Sequence, residues 1–249
     1  MIEVNGLKKG FGDRVILKGI DADFHKGRTN LIIGQSGGGK TVFLKSLVGL
    51  HDIDEGEISY DGVALGSLNR KERKDLRTRM GMVFQGNALF DSLTIEENVT
   101  FALNMFSDMS ESEKRDRANF CLERVNLKNV NQQYPAELSG GMQKRVAIAR
   151  AISMNPQYLF CDEPNSGLDP KTAVVIDKLL SELTEEFNMT TVINTHDMNS
   201  VIEIGDNIIF IKDGFKAWQG SGEEILSTDN EDIKDFIYSS EIFRRIRNK

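Results

Sequence analysis

The residues best suited to chemistry lie in the segment Gly34–Thr41, which reads Gly-Gln-Ser-Gly-Gly-Gly-Lys-Thr. Glycines at these spacings let the backbone turn its N–H groups inward, and a helix that starts in the segment adds its own free N–H groups. Such a loop binds phosphates, with Lys40 in reach of the β- and γ-phosphates and Thr41 able to bind Mg²⁺. An apolar strand precedes the segment and a helical pattern follows it, which favours a phosphate-binding loop over a plain glycine-rich connector.

Two carboxylates stand at the end of another apolar segment, Tyr158–Glu163. Asp162 suits a position beside Mg²⁺, and Glu163 stands where a base that activates water is needed. By itself, an apolar strand that ends in Asp-Glu is also typical of a solvated strand end. Its pairing with the phosphate-binding loop favours the catalytic interpretation.

A third motif, Leu138–Gln143, precedes a helix rich in Lys and Arg. Ser139 can cap this helix while Gly140 and Gly141 leave backbone N–H groups exposed, which would give a second anion site. An ordinary capped helix explains the same residues, so the motif alone leaves both interpretations open.

The elements that must position these residues alternate between strands and helices, which predicts a mainly parallel sheet covered on both faces. The middle stretch, roughly 86–150, is helical and predicts a separate lobe. Periodicity predicts strands at Ile2–Val4, Val15–Leu17, Ile20–Phe24, Thr29–Ile33, Tyr158–Cys161, Thr190–Asn194 and Asn207–Ile211, and an edge hairpin at Gly56–Gly62. It predicts helices at Lys40–Leu50, Thr172–Phe187 and Met198–Ile204, one from Ser139 to about Ser153, and one capped by Ser110 and Glu113.

Composition excludes several classes of protein. The 249 residues are 39% hydrophobic and 28% charged, which fits a globular chain and argues against disorder. The longest apolar runs, such as Ile208–Ile211, are far shorter than the roughly 18 residues of a membrane span, and no signal peptide is visible at the N-terminus. Cys121 and Cys161 lack metal-like spacing, which predicts buried reduced thiols and a cytosolic compartment. The net charge of −7 argues against a nonspecific DNA coat.

The motifs occur in the order and spacing of the ATP-binding cassette (ABC) ATPases, which the chain resembles over about residues 1–220. The resemblance rests on Gly34–Thr41, Gln85, Leu138–Gly141, Asp162–Glu163, Ser166–Asp169 and His196. It implies an α/β fold, namely an ABC-type P-loop ATPase with a RecA-like core, an antiparallel β subdomain and an α-helical signature subdomain. The expected boundaries are 1–227 for the ATPase domain, about 86–150 for its helical subdomain, and 228–249 for a C-terminal helical tail.

The resemblance also implies ATP and Mg²⁺ as cofactors and a role for each motif. The catalytic residues would be Glu163, which polarises the attacking water, His196, which contacts the γ-phosphate, Lys40 and Gln85; the Mg²⁺ residues would be Thr41, Gln85 and Asp162. The nucleotide would contact Phe11 through its adenine, the loop residues Gly34, Gln35, Ser36, Gly37, Gly38, Gly39, Lys40 and Thr41, and the opposite subunit's Ser139, Gly140, Gly141 and Asp169. Phe11 also fits an ordinary hairpin-turn aromatic, and a lone histidine is more often structural.

Two positions depart from the family's usual pattern. Met142 ends the signature where Gln is commonest, and Asn165 stands where Thr is usual. Neither position supplies an essential catalytic group, so ATP hydrolysis is still expected.

The expected function is the ATPase of a bacterial transporter, peripheral on the cytoplasmic face of the inner membrane. Its expected partners are a second copy of itself and an integral membrane permease, with room for substrate-binding or accessory subunits and with no nucleic acid. DNA-repair and chromosome-organising relatives insert a long coiled coil between the phosphate-binding loop and the signature. Here only 99 positions separate Lys40 from Ser139, which disfavours that class. The ribosome-acting type resembles two cassettes fused in one chain, whereas this chain has one. A cassette that only binds nucleotide is disfavoured because every catalytic position is filled.

The cargo expectation rests on resemblance alone. Residues 79–105 lie where the family docks its membrane subunit, and the run Ala88–Thr94 with Leu138–Met142 looks like the Mla/Mce-type systems that move phospholipids. Amino-acid importers tend to have Pro-His where Asp91-Ser92 stands. The tail is also similar to the lipid branch, although Asn230 replaces a usual Pro. An amino-acid or other small-solute importer is the alternative.

The C-terminal tail predicts a helix capped by Thr228 and Glu231, with Ile233, Phe236 and Ile237 on one face. A second apolar group and four basic residues follow, namely Ile242, Phe243 and Ile246, and Arg244, Arg245, Arg247 and Lys249. A frayed surface helix and a docking element for the second cassette or an accessory subunit both fit this pattern.

Overall fold

A six-stranded sheet forms the centre of the computed structural model, which describes residues 1–238. The strands are β1 (Ile2–Phe11), β2 (Arg14–Phe24), β3 (Arg28–Ile33), β4 (Glu55–Tyr60), β5 (Val63–Ala64), β6 (Met80–Val83), β7 (Tyr158–Asp162), β8 (Thr190–Asn194), β9 (Asn207–Lys212) and β10 (Phe215–Gly220). The helices are α1 (Lys40–Leu47), α2 (Arg70–Thr78), α3 (Ile95–Phe106), α4 (Glu111–Arg124), α5 (Gly140–Ile152), α6 (Pro170–Glu186), α7 (Met198–Ile204), α8 (Gly222–Ser227) and α9 (Glu231–Ile237).

The central sheet has the order β10-β9-β3-β8-β7-β6, and its strands are parallel except for β10. The predicted parallel sheet is therefore confirmed. Because the strands run the same way, their carboxyl ends meet at one edge, where Asp162 at the end of β7 pairs with Asn194 at the end of β8. That edge carries the candidate site.

Side chains that alternate along the central strands divide the core in two. On β7, Leu159 and Cys161 face the helices α3 to α9, whereas Tyr158 and Phe160 face α1 and the antiparallel sheet. Both faces of a strand are thus covered, which explains its unbroken apolar sequence. Cys121 and Cys161 are buried free thiols, as predicted.

A second, antiparallel sheet has the order β2-β1-β4-β5. The prediction of several short strands here was wrong, because β1 and β2 are long strands whose pairing continues across irregular registers near Val4–Gly10. Such bulges break the alternation of apolar residues without ending the strand. The predicted edge hairpin is confirmed: β4 and β5 are joined by Asp61 and Gly62, both at positive φ.

Helices α3, α4 and α5 pack on one another within the stretch predicted as a helical lobe. Each begins at a side chain that caps its first turn, namely Thr94, Ser110 and Ser139. The end of α5 lies close to β6, since a Cβ at Gly81 would come within 2.3 Å of the Ala151 carbonyl oxygen.

Several boundaries differ from the sequence predictions. Helix α1 ends at Leu47 because Gly49 adopts a left-handed conformation, and α6 begins at Pro170, two residues earlier than predicted, with Asp169 as its cap. The last helix is capped by Asn230 instead of Thr228. Residues 239–249, with Ile242, Phe243, Ile246 and the basic end of the tail, lie outside the described residues. No helix in residues 1–238 is long and apolar enough to cross a membrane.

Candidate active site

The phosphate-binding loop connects β3 to α1 and contains three glycines with positive φ, namely Gly34, Gly37 and Gly39. Gly34 has a φ of 147°, and a Cβ there would come within 2.2 Å of the Ile211 carbonyl oxygen. Gly39 caps α1 at a φ of 102° and offers no side chain to the helix. The first N–H groups of α1, which lack partners within the helix, therefore remain available to an anion.

Lys40 is buried at the start of α1 and crosses the loop. Its Nζ donates to the carbonyl oxygens of Gly34 at 3.0 Å and Gln35 at 3.1 Å. Burial lowers the pKa of Lys40 from its ordinary value, while the carboxylates of Glu163 and Asp162 partly oppose that change. The ammonium is thus held inside the loop, where a phosphate would meet it.

Thr41 lies against the end of β7. Its hydroxyl donates to Asp162 Oδ1 at 3.2 Å, although the two residues are far apart in sequence. Asn194, at the end of β8, joins this pair: its Nδ2 donates to Asp162 Oδ1 at 2.5 Å and to Thr41 Oγ1 at 3.1 Å. Two of the three residues predicted to hold Mg²⁺, Thr41 and Asp162, are therefore already adjacent, whereas Gln85 is bonded to Glu163.

Glu163 follows Asp162 with a positive φ of 47°, which turns the chain away from the sheet. Gln85 Nε2 donates to Glu163 Oε2 at 2.9 Å, and His196 Nδ1 lies 3.2 Å from Glu163 Oε1. Three predicted catalytic residues from three separate segments thus meet at one carboxylate.

Gln85 is further anchored through its backbone. Lys144 on α5 is buried, and its Nζ donates to the Gln85 carbonyl oxygen at 2.6 Å. Burial lowers the pKa of Lys144, opposed by Cys161 and Glu163. This contact connects the helix of the signature motif to the segment that carries Gln85.

A cavity of about 500 Å³ brings most of the predicted site together. An adjacent cavity of about 270 Å³ shares Arg14, Ile16, Ser36 and Gly37 with it. Of the predicted residues, the two cavities are lined by Gln35, Ser36, Gly37, Gly38, Gly39, Lys40, Thr41, Gln85, Glu163 and His196.

The signature residues lie outside both linings. The Ser139 hydroxyl accepts from the Met142 N–H at 3.3 Å, within its own helix. Asp169 accepts from the N–H groups of Lys171 and Thr172 at the start of α6, which lowers the pKa of its carboxyl together with the Thr172 hydroxyl. Gly140 and Ser139 are exposed, and Gly141 lies close enough to Thr172 to exclude a Cβ.

Phe11 also lies outside both linings, at the end of β1. It is about half exposed, at 48%, and its ring meets the edge of His51 at a centroid distance of 5.2 Å. The Lys9 ammonium stands 5.3 Å from the ring centroid. The exposed face of the Phe11 ring is thus available for stacking on a ligand.

Sequence reasoning missed three residues of the site: Arg14, Lys144 and Asn194. The basic character of the helix after Leu138 was a signal for Lys144, but nothing in the local pattern pointed to the Gln85 carbonyl. Asn194 was taken only as the end of a strand, although a polar residue at the carboxyl end of a buried parallel strand is itself a signal.

The donor atoms fit Mg²⁺. Thr41 and Asp162 offer a hydroxyl and a carboxylate, the oxygen ligands that this ion prefers, and one or two carboxylates with substrate phosphates are its usual set. Within the described residues 1–238, no group of three or more His, Cys, Asp or Glu side chains is arranged so that it could hold a metal ion. A buried acceptor beside this pair, Asn194 Oδ1, has no hydrogen-bond partner.

Residues 17–166 match the model of the ABC transporter family. The chain is 36% identical over 236 residues to the probable ribonucleotide transport ATP-binding protein mkl of Mycobacterium leprae, covering 95% of this chain and 68% of that protein. It is 38% identical to the glutamate transport ATP-binding protein GluA of Corynebacterium glutamicum, covering 95% of this chain and 98% of GluA. It is 36% identical to the intermembrane phospholipid transport ATP-binding protein MlaF of Haemophilus influenzae, covering 95% of this chain and 90% of MlaF.

Two solved structures are similar to the whole arrangement. The ATP-binding cassette MJ0796, in a dimeric post-hydrolysis state bound to ADP and phosphate, superposes with a TM-score of 0.80 at 35% identity, covering 89% of this chain and 98% of that one. The cassette cbiO1 of Clostridium perfringens, part of the transporter complex cbiONQ, superposes with a TM-score of 0.85 at 30% identity, covering 99% of this chain and 98% of that one.

Proposed function

This chain belongs to the ABC transporter family, and from that premise we propose that it energises phospholipid transport through a separate membrane permease. It is the ATP-binding subunit of such a transporter and hydrolyses ATP to ADP and phosphate with Mg²⁺. We place it on the cytoplasmic face of a bacterial inner membrane, where the permease would hold it.

One observation carries the ATPase assignment. The phosphate-binding loop, Gln85, Glu163 and His196 line a single cavity, and Thr41 on that lining is bonded to Asp162 behind it. Phosphoryl transfer to water needs a cradle for the phosphates, a cation, a metal site and a group that orients the attacking water. Residues of all four kinds line this cavity or, like Asp162, are bonded to a residue that does.

Each residue supports a distinct part of this reaction. Lys40 can exchange its carbonyl partners for phosphate oxygens, which bind a cation more strongly. Glu163 would accept a hydrogen bond from the attacking water once one of its oxygens leaves Gln85 or His196. Mg²⁺, held by Thr41 and Asp162, would neutralise negative charge on the phosphates.

A pair of chains is the proposed active species. Ser139, Gly140 and Asp169 face solvent away from the chain's own cavity, and a second copy could present them to the nucleotide of the first. The dimeric structure of MJ0796 bound to ADP and phosphate supports this arrangement.

A groove between α2 and α3 supports the permease partner. It encloses about 460 Å³ and combines apolar with basic side chains, among them Phe106, Met80, Arg70, Lys74 and Arg77. Further apolar side chains are exposed on the same region, namely Phe84, Phe90, Phe101, Met105 and Met109. Such a surface suits an apolar segment with acidic residues from another protein.

Strand β6 connects that groove to the cavity. Met80 at its start lines the groove, and Gln85, two residues beyond its end, contacts Glu163. A partner that moves the groove would therefore shift the residue that now holds the Glu163 carboxylate. This is how docking could be coupled to hydrolysis.

The lipid cargo rests on the loop Ala88–Thr94, which resembles the Mla/Mce branch, and on the similarity to MlaF. Asn98 fixes this loop, because its Nδ2 donates to the carbonyls of Phe90, Leu93 and Thr94. Asp91 and Ser92 remain exposed at its tip. An amino-acid importer is the alternative, because the similarity to GluA is equally close.

Deleting the gene tests the cargo. We expect a weaker outer permeability barrier and sensitivity to detergent, restored by the wild-type gene but not by Glu163→Gln. An intact barrier together with a defect in uptake of one solute would favour the alternative. Co-purification of an integral membrane protein, as opposed to nucleic acid, tests the permease partner.

A further inference from the structure

Asn194 occupies a central position at the site edge of the sheet. It is the last residue of β8, between Ile32 on β3 and Asp162 on β7, and it is completely buried. Its side chain lies beneath the first turn of α1, where it reaches Thr41. An amide is therefore built into the sheet directly behind Thr41, at a position where an apolar strand residue would be expected.

The contacts of Asn194 define its orientation. A carboxylate can only accept, so the amide group 2.5 Å from Asp162 Oδ1 is the donor Nδ2, which also reaches Thr41 Oγ1 at 3.1 Å. The opposite atom, Asn194 Oδ1, is buried and has no partner. A buried acceptor without a partner costs stability and calls for an explanation.

A second buried asparagine provides the contrast. Asn30 on the neighbouring strand β3 is equally buried, but both of its polar atoms are bonded: Nδ2 donates to three carbonyl oxygens and Oδ1 accepts from His25 N–H and Asn207. Asn30 thus satisfies backbone N–H and carbonyl groups of the segments around it. Asn194 instead bonds the side chains of the two candidate magnesium residues and leaves one acceptor free.

We infer that Asn194 is a positioning residue of the magnesium site. It holds Asp162 and Thr41 together through its amide N–H groups. It acts through Asp162 and Thr41 and is not itself a ligand. The inference rests on the ATPase function but is independent of the cargo.

The test compares nucleotide binding with and without metal, which needs no turnover. Calorimetry of the purified chain with ADP, in excess Mg²⁺ and in EDTA, gives a ratio of affinities that reports the metal site alone. Asn194→Val keeps a strand-forming residue but removes the amide. Asn194→Asp keeps the shape but replaces the donor by a carboxylate.

A matched control lies on the same strand. Thr191 is buried, and its hydroxyl is bonded to that of Thr184 at 2.6 Å, away from the site. Thr191→Val also removes a buried polar group from β8. We expect it to leave the Mg²⁺-to-EDTA ratio unchanged.

In Asn194→Val the ratio should fall about tenfold while the affinity in EDTA stays within about twofold of wild type. In Asn194→Asp the ratio should also fall about tenfold or more, because a carboxylate cannot donate to Asp162 and repels it at this distance. An unchanged ratio in either variant, or equal losses with metal and in EDTA, would overturn the inference. Absence of ADP binding by the wild-type chain would instead contradict the ATPase function itself.

Discussion

Two regions of the molecule carry residues of the same general kind but connect them in opposite ways. Around the phosphate-binding loop, Thr41, Gln85 and Glu163 bond to residues of other segments, and Lys40 bonds across the loop itself. Around the signature turn, Ser139 and Asp169 bond only to the first turns of the helices that they cap. The first region is a network, and the second is a pair of locally satisfied helix ends.

The difference indicates which region is complete within one chain. Side chains fixed by partners from several elements are preorganised for a ligand. Exposed helix N-termini whose caps involve only the first turn of their own helix gain a ligand only when another surface arrives. The comparison predicts that substitutions in the first region act on the chain's own nucleotide, and those in the second act on the pair.

The largest effect is expected for Glu163→Gln, in the first region. The amide cannot accept a proton and polarises water poorly, so ATP turnover should fall by about 10²–10⁴-fold, while affinity for ATP stays close to wild type. Turnover assays and nucleotide titration measure the two quantities. Wild-type turnover in this variant would remove Glu163 from the reaction.

Ser139→Arg probes the second region. The long cation would obstruct the surface that faces a second chain, so turnover should fall by about 10²-fold, while nucleotide binding by the isolated chain is unchanged. Light scattering of Glu163→Gln with ATP tests whether pairs form at all. A strict monomer at high concentration, with the permease present, would contradict the two-chain site.

Mixing two inactive variants makes this comparison sharper. Lys40→Ala should weaken binding at the chain's own loop, and Ser139→Arg should damage only the site on the other chain. In a mixed pair, one site keeps both an intact Lys40 and an intact Ser139, so turnover should return. If the mixture stays inactive, Ser139 serves its own chain.

The sequence predicted the first region well because its motifs are local in the chain and chemically specific. Gly34–Thr41 and Asp162–Glu163 are contiguous, and β3, β7 and β8 have the unbroken apolar pattern of buried parallel strands. Their meeting at one edge follows from parallel topology alone.

What the sequence did not reveal depends on contacts between distant segments. The bond from Lys144 to the Gln85 carbonyl and the contacts of Asn194 require the packing of α5 and α1 on the sheet. The long strand β1 was missed because bulges shift its alternation, and α2 because it is charged on nearly every position. The domain boundaries and the roles of the site residues stay predictions.

A buried cluster links the two regions and leads to a prediction about pH dependence. Asn165, midway between Glu163 and Asp169, donates to Asp177 at 2.6 Å, and Ser200 donates to the other oxygen of Asp177 at 2.7 Å. Burial raises the pKa of Asp177 to about 6, and Asp197 and Glu203 add to that shift. The stabilising form of this carboxyl is therefore the protonated one.

The sign of the pH dependence follows from that shift. Because the pKa is higher in the folded chain than in the unfolded one, this contribution is complete below about pH 4 and is lost as pH rises through about 6. Asp177→Asn has no carboxyl to ionise, so it should not lose this stability as pH rises. The difference in free energy of unfolding between the variant and the wild type should therefore shift in favour of the variant by about 2 kcal/mol from pH 4 to pH 7. Urea unfolding at both pH values measures it, and parallel curves for the two proteins would contradict the prediction.

The smallest effect is expected for Phe11→Ala, because Phe11 lies outside both cavities and is held only by His51 and Lys9. If the ring stacks on adenine, its removal should weaken ATP binding about three- to tenfold, and Phe11→Tyr should retain most of the affinity. Inorganic tripolyphosphate has no base, so its binding should not change. An equal loss of affinity for both ligands would mean that Phe11 supports the loop and does not bind the base. If neither affinity falls, Arg14, which lines both cavities, is the side chain of this hairpin that contacts the nucleotide.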